Sequence, residues 1–118
     1  MQRLFALPIC VPGTLTANFA YRFQAPFNLQ LVKVSAACDA STSFVLDVGT
    51  AADSDAYLDG KTVTGAAATS TEYTRSDFVN GEYPKIADGD EVHVTVDYDG
   101  GGGTDGAGVS ITLWLTEG

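Results

Sequence analysis

The sequence predicts an all-β, single-domain antiparallel β-sandwich of about eight strands. Three observations carry that reading. Apolar and polar residues alternate with period two, most cleanly at Val92, Val94, Val96 and Tyr98 against His93, Thr95 and Asp97, and at Val109, Ile111, Leu113 and Leu115 against Ser110, Thr112 and Trp114. No segment sustains the 3.6-residue period of a helix. Glycine and proline punctuation recurs at the spacing of short strands, and 118 residues at 45% hydrophobic content suffice for one core without staples.

Residues 4–11 are apolar on both faces, with Phe5, Leu7, Ile9 and Val11 on one and Leu4, Ala6 and Cys10 on the other. Pro8 cannot donate to a ladder, so residues 1–12 read as an edge strand or an extended arm, ended by Pro12-Gly13, and residues 13–118 as the sandwich. Phe19, Tyr21 and Phe23 share a face of the second strand, and residues 25–28 break it. Val32, Val34 and Ala36 then alternate with Leu31, Lys33 and Ser35, and Phe44, Leu46 and Val48 with Val45, Asp47 and Gly49. Residues 53–55 read as a loop, and residues 57–63 as a hairpin around Asp59-Gly60, which suits a type I′ turn. The alanine-rich residues 65–70 read as a loop. Residues 71–86 are weakly patterned, with a turn at Asn80-Gly81. A tight turn at residues 88–90 leads into strand 91–98, and the glycine-rich residues 100–108 connect it to the last strand.

Trp114 breaks the final alternation. It falls on the polar side of its strand, which implies that something covers this face: another subunit, or the chain's own N-terminal arm. Residues 1–46 carry a net charge of +2 and residues 47–118 carry −11, within a total of −9. The near-neutral first third supplies either central strands or a contact surface. The acidity argues against neutralising nucleic-acid phosphates. No apolar run reaches the length of a membrane-spanning helix, and Pro8 interrupts the segment that superficially suggests an export signal.

Catalytic constellations are sparse. The single histidine, His93, lies on a polar strand face and reads as a surface residue, and a multi-histidine metal centre is excluded. Cys10 and Cys38 read as buried free thiols. Residues 101–106 match G-x-G-x-x-G, but a strand follows where a dinucleotide site needs a helix, and Asp97, Asp99 and Asp105 would repel phosphate. Asp53 with Asp55, or Asp97 with Asp99 and Asp105, supply oxygen ligands of the kind calcium takes, without matching an EF-hand, and read as solvated surface acids. No cofactor is implied and the chain reads as a non-enzyme.

Three segments carry a resemblance: Phe23-Gln-Ala-Pro-Phe27 followed by Leu31-Val-Lys-Val-Ser-Ala36; Phe44-Val-Leu-Asp-Val-Gly49; and Lys85-Ile-Ala-Asp-Gly-Asp-Glu-Val-His-Val-Thr-Val96 with the closing Val109-Ser-Ile-Thr-Leu-Trp-Leu115. In this order they resemble the small jelly-roll-like β-sandwich capsid decoration (cement) proteins of tailed bacteriophages. The resemblance spans most of residues 19–115. It implies a jelly-roll-like sandwich and a structural virion protein, bound to the major capsid protein on the outer capsid surface after assembly in the host cytoplasm. It also implies association with its own copies as a homotrimer, and no nucleic-acid or membrane partner. The residues expected at such contacts are Trp114 and the two-sided strand, Leu4, Phe5, Leu7, Ile9 and Val11. The alternative is a carbohydrate-binding or fibre-base module using exposed aromatics such as Trp114, Tyr57 or Tyr83.

Overall fold

The computed structural model describes residues 4–65, 70–98 and 105–118. Nine strands follow in order: β1 (Leu4–Thr14), β2 (Phe19–Gln24), β3 (Leu29–Ala37), β4 (Ser43–Thr50), β5 (Leu58–Thr64), β6 (Thr71–Tyr73), β7 (Lys85–Ile86), β8 (Glu91–Asp97) and β9 (Ala107–Glu117). Among the described residues the only helical pieces are 3-10 turns at Arg75–Asp77 and Val79–Gly81. None is long and apolar enough to cross a membrane.

The antiparallel pairs are nested. β1 pairs β9, β2 pairs β8, β3 pairs β6 and β7, and β4 pairs β5. Such a set is one long hairpin that closes at β4–β5. Rolled up, it brings β9 beside β3 and β8 beside β4, and gives two packed sheets ordered β1-β9-β3-β6 and β2-β8-β4-β5, with the two-residue β7 also on β3. This is a jelly-roll sandwich, and its ninth strand is this short addition.

The core lies between the sheets. β9 contributes Val109, Ile111, Leu113 and Leu115, β3 contributes Leu31, Val34 and Ala36, and β4 and β8 answer with Phe44, Leu46, Val48, Val92, Val94 and Val96, all buried. Among the described residues no polar or charged residue is buried. The alternation legible in the sequence is therefore the alternation of core and solvent.

Bulges change three expected elements. In β3, Leu31 faces Leu115 and Lys33 faces Trp114, so Val32 is an extra residue and the strand changes face there. Leu31, expected opposite Val34, is buried with it, and Val32 is only half-buried. Asp59-Gly60 does not turn a hairpin over residues 57–63. It sits inside β5, where Leu46 faces Lys61 but Val48 faces Leu58, leaving one unmatched residue. Gly60 takes φ +52°, the left-handed backbone of such a bulge, and its N–H donates to the Asp47 carboxylate at 2.6 Å. Pro12-Gly13 likewise bulges within β1 rather than ending it.

Other expected features lie where the pattern put them. β1 is the outer strand of its sheet, where a proline costs no ladder bond. The chain turns at Asn80 and Gly81, which take φ +64° and +63°, and the Gly81 N–H donates to the Phe78 carbonyl at 2.9 Å. The glycine-rich match at residues 101–106 falls mostly outside the described residues, as does most of the alanine-rich loop at 65–70.

The β3 bulge is testable by urea unfolding. Leu31→Ala should cost about 2–5 kcal/mol, the range for truncating a fully buried leucine, and Val32→Ala at most about 1 kcal/mol. The reverse order would mean that β3 runs without the bulge.

Candidate functional site

The outer face of the first sheet is built from rungs that cross β1, β9 and β3. They read Leu4–Thr116–Gln30, Ala6–Trp114–Lys33, Pro8–Thr112–Ser35 and Cys10–Ser110–Ala37. Their side chains face outward because the intervening residues fill the core. Lys33 is the one charged residue in these rungs, and most of the others are small or short polar side chains. The result is a nearly uncharged surface on which Trp114 is the one large aromatic side chain of these rungs.

Trp114 is half-buried by its own chain. Lys33 Nζ lies 5.4 Å from the centroid of the indole, and Nε1–H donates to Ser35 Oγ at 3.4 Å. A cation–π contact of this exposed kind contributes about 0.5–1 kcal/mol. On the β1 side its cross-strand neighbour is Ala6, which offers only a methyl group. Glu72 of β6 reaches Lys33 at 3.6 Å, a solvated pair of little energetic weight. The Thr116 hydroxyl on this face is buried without a hydrogen-bond partner.

The outer face of the second sheet is different in kind. Arg22, Asp47, Glu91, His93 and Asp97 lie on it or at its rim. His93 Nε2 is 2.6 Å from Glu91 Oε1, on the opposite side of the sandwich from Cys10. A cysteine–histidine dyad with Cys10 is therefore not assembled. Cys38 is buried, with its thiol 3.5 Å from the Thr42 carbonyl and 3.9 Å from that of Val63. Cys10 is exposed, which corrects the expectation that both thiols are buried: its even-numbered position on β1 turns it outward.

β1 and β2 are edge strands of their sheets, on the same flank. Between them lies an apolar hollow of about 290 Å³ lined by Phe5, Ala6, Leu7, Phe23, Pro26, Phe27, Leu29 and Leu115. The Phe5 and Phe27 rings are 5.7 Å apart, and Phe27 remains 40% exposed. The candidate contact residues thus separate. Leu4 (61% exposed) and Trp114 lie on the outer face, Phe5 and Leu7 line the hollow, Ile9 is buried in the core, and Val11 packs against the core. Sequence reasoning missed the share of Phe23, Pro26 and Phe27 in this flank; the signal was the Phe23-x-Ala-Pro-Phe27 motif, whose break folds the aromatic back over the strand edge.

The sequence-based acidic candidates regroup. The carboxylates of Asp47, Asp55 and Asp59 have oxygens within 4.8 Å of one another, joined across β4, β5 and their connection. Asp53 lies beside this group. Its carboxyl titrates above the ordinary value because it hydrogen-bonds with Asp55, with smaller contributions from desolvation and the like charge. Of the other trio, Asp99 lies outside the described residues.

The fold is shared with a chain of a phage capsid. A chain of the cyanophage Pam1 capsid asymmetric unit superposes with TM-score 0.59 at 20% identity, over 99% of this chain and 85% of that one. A chain in the structure of infectious bursal disease virus strain Gx matches at TM-score 0.37 and 11% identity, over 98% of this chain and 32% of that one. No family model matches the sequence, and no curated protein does. At 20% identity the likeness to the cyanophage chain shows the architecture, a jelly-roll-like β-sandwich, along nearly the whole chain.

The opposite placement of the thiols has a direct readout. In the native protein, Cys10 should react with a thiol reagent such as DTNB at the rate of an exposed cysteine, and Cys38 only after unfolding. No fast thiol would contradict the assigned facing of β1, and two would contradict the burial of Cys38.

Proposed function

We propose that this chain is a structural protein of a phage particle, a capsid decoration or cement protein that binds the outer surface of the head and stabilises it. The observation that carries the reading is the match, over 99% of this chain and 85% of the other, to a chain of a phage capsid asymmetric unit. The surface chemistry supports it. An acidic protein of net charge −9 keeps one broad sheet face nearly free of charge and one flank apolar. Exposed surfaces of this kind mark interaction sites.

A cement protein needs two contacts, with the shell and with its own copies. In this reading the outer face of β1, β9 and β3 meets the major capsid protein, with Trp114 as its anchor. The β1/β2 flank meets neighbouring copies in a homotrimer. The acidic loops on the far flank then point to solvent, where like charges on adjacent copies stay apart. Binding the assembled shell but not free subunits stabilises the particle by mass action.

The test is to strip or delete the chain and to measure particle survival on heating or dilution. Survival should fall, and adding the protein back should restore it. Unchanged survival would count against the cement role. Trp114→Ala should weaken particle binding by tenfold or more, as loss of an interface anchor does, at a folding cost of only about 1 kcal/mol. Unaltered binding with a clearly lower melting temperature would make Trp114 an ordinary packing residue.

A further inference from the structure

On the flank away from β1 and β2 a second hollow, of about 380 Å³, is lined by Ala56, Tyr57, Val79, Asn80, Glu82, Tyr83, Pro84 and Lys85. It joins the β4–β5 connection to the segment before β7, so residues 26 positions apart in sequence, Tyr57 and Tyr83, share one concave surface. It is small but within the size range of small-molecule sites.

The loop that forms it is held rigidly. Phe78 is buried in the core and anchors it. Around the first 3-10 turn the Thr74 N–H donates to the Asp77 carboxylate and the Asp77 N–H to the Thr74 carbonyl, both at 2.9 Å, and Arg75 Nε donates to the Gly81 carbonyl at 3.1 Å. The Arg75 guanidinium carbon lies 5.9 Å from the Tyr83 ring centroid, and the Val79 N–H donates to the Tyr57 carbonyl at 3.0 Å. The turn holds Asn80 at φ +64°, a backbone conformation that asparagine adopts more readily than most residues, and places it at the rim of the hollow. Tyr83 is nevertheless 39% exposed. It shares the hollow with an amide, a carboxylate and an ammonium, those of Asn80, Glu82 and Lys85.

We propose that this hollow is a binding site for a neutral saccharide. Tyrosine rings present apolar faces that match the C–H faces of a pyranose, with a phenolic hydroxyl at the edge. The Asn80 amide both donates and accepts, Glu82 accepts and Lys85 donates, which covers the donor and acceptor roles of sugar hydroxyls. The charges of Glu82 and Lys85 oppose one another within the site. Arg75 lies against Tyr83, but Asp53, Asp55 and Asp77 on the surrounding loops outnumber it, so an anionic sugar or a phosphate would meet net repulsion. The proposal is independent of the capsid role, since the hollow lies apart from the sheet face and the flank assigned to it.

The experiment is a ¹⁵N–¹H NMR titration of the folded chain with methyl glycosides of glucose, galactose, mannose and N-acetylglucosamine, with N-acetylneuraminic acid as the anionic comparison. Saturable shifts with a neutral glycoside should be centred on residues 56–57 and 79–85. Two variants locate the site. Tyr83→Ala removes an exposed ring. Asn80→Gly removes the amide while keeping a residue at home with positive φ. Each should weaken binding about tenfold with little change in melting temperature. No saturable shift with any of these glycosides, shifts centred elsewhere, preference for the anionic sugar, or full affinity in both variants would overturn the proposal.

Discussion

Everything in this fold depends on the pleat of β9. It lies between β1 and β3 and holds the first sheet together. Its alternation sends Val109, Ile111, Leu113 and Leu115 into the core and leaves Ser110, Thr112, Trp114 and Thr116 outside. A slip of one residue would exchange the two sets, exposing the aliphatic row and burying hydroxyls, so the register is strongly specified. The core and the outer face are therefore one constraint seen from two sides. Trp114 cannot retreat inward without dragging four aliphatic residues out.

The division of charge follows the same geometry. The first third of the chain, nearly neutral, forms β1, β2 and β3, which provide both edge strands of one flank and two strands of the uncharged face. The acidic remainder builds the far loops and contributes Asp47, Glu91 and Asp97 to the second sheet's outer side. Nested pairing of a rolled hairpin places the early strands together on one flank, so a gradient along the sequence becomes a gradient across the molecule. An acidic protein with a neutral face can approach a partner without losing the mutual repulsion that keeps its free form from aggregating.

The sandwich was legible because period two is a direct image of burial, and the residues with cleanest alternation, in β4, β8 and β9, are those between the sheets. Residues displaced by a bulge were not legible. Nothing in Leu31-Val32-Lys33 announces that the strand changes face, since the extra residue is defined by its mismatch with β9, a partner some eighty positions away in sequence. Asp59-Gly60 has the composition of a hairpin turn, and only the pairing of β5 along β4 makes it a bulge. The same limit applied to the surfaces. Trp114 stood out within its own strand, whereas the Phe5–Phe27 contact and the shared hollow of Tyr57 and Tyr83 are made by segments that meet only in the folded chain. A surface assembled from several loops leaves no periodic trace.

In the role proposed above, the face of β1, β9 and β3 is the side covered on a phage head. Hydroxyl-radical footprinting of the protein, free and bound to particles, tests it most directly. Binding should protect Trp114, Cys10 and Leu4, while His93 on the opposite sheet keeps its free reactivity. Protection of His93 with Trp114 and Cys10 still reactive would place the contact on the other sheet and contradict the account.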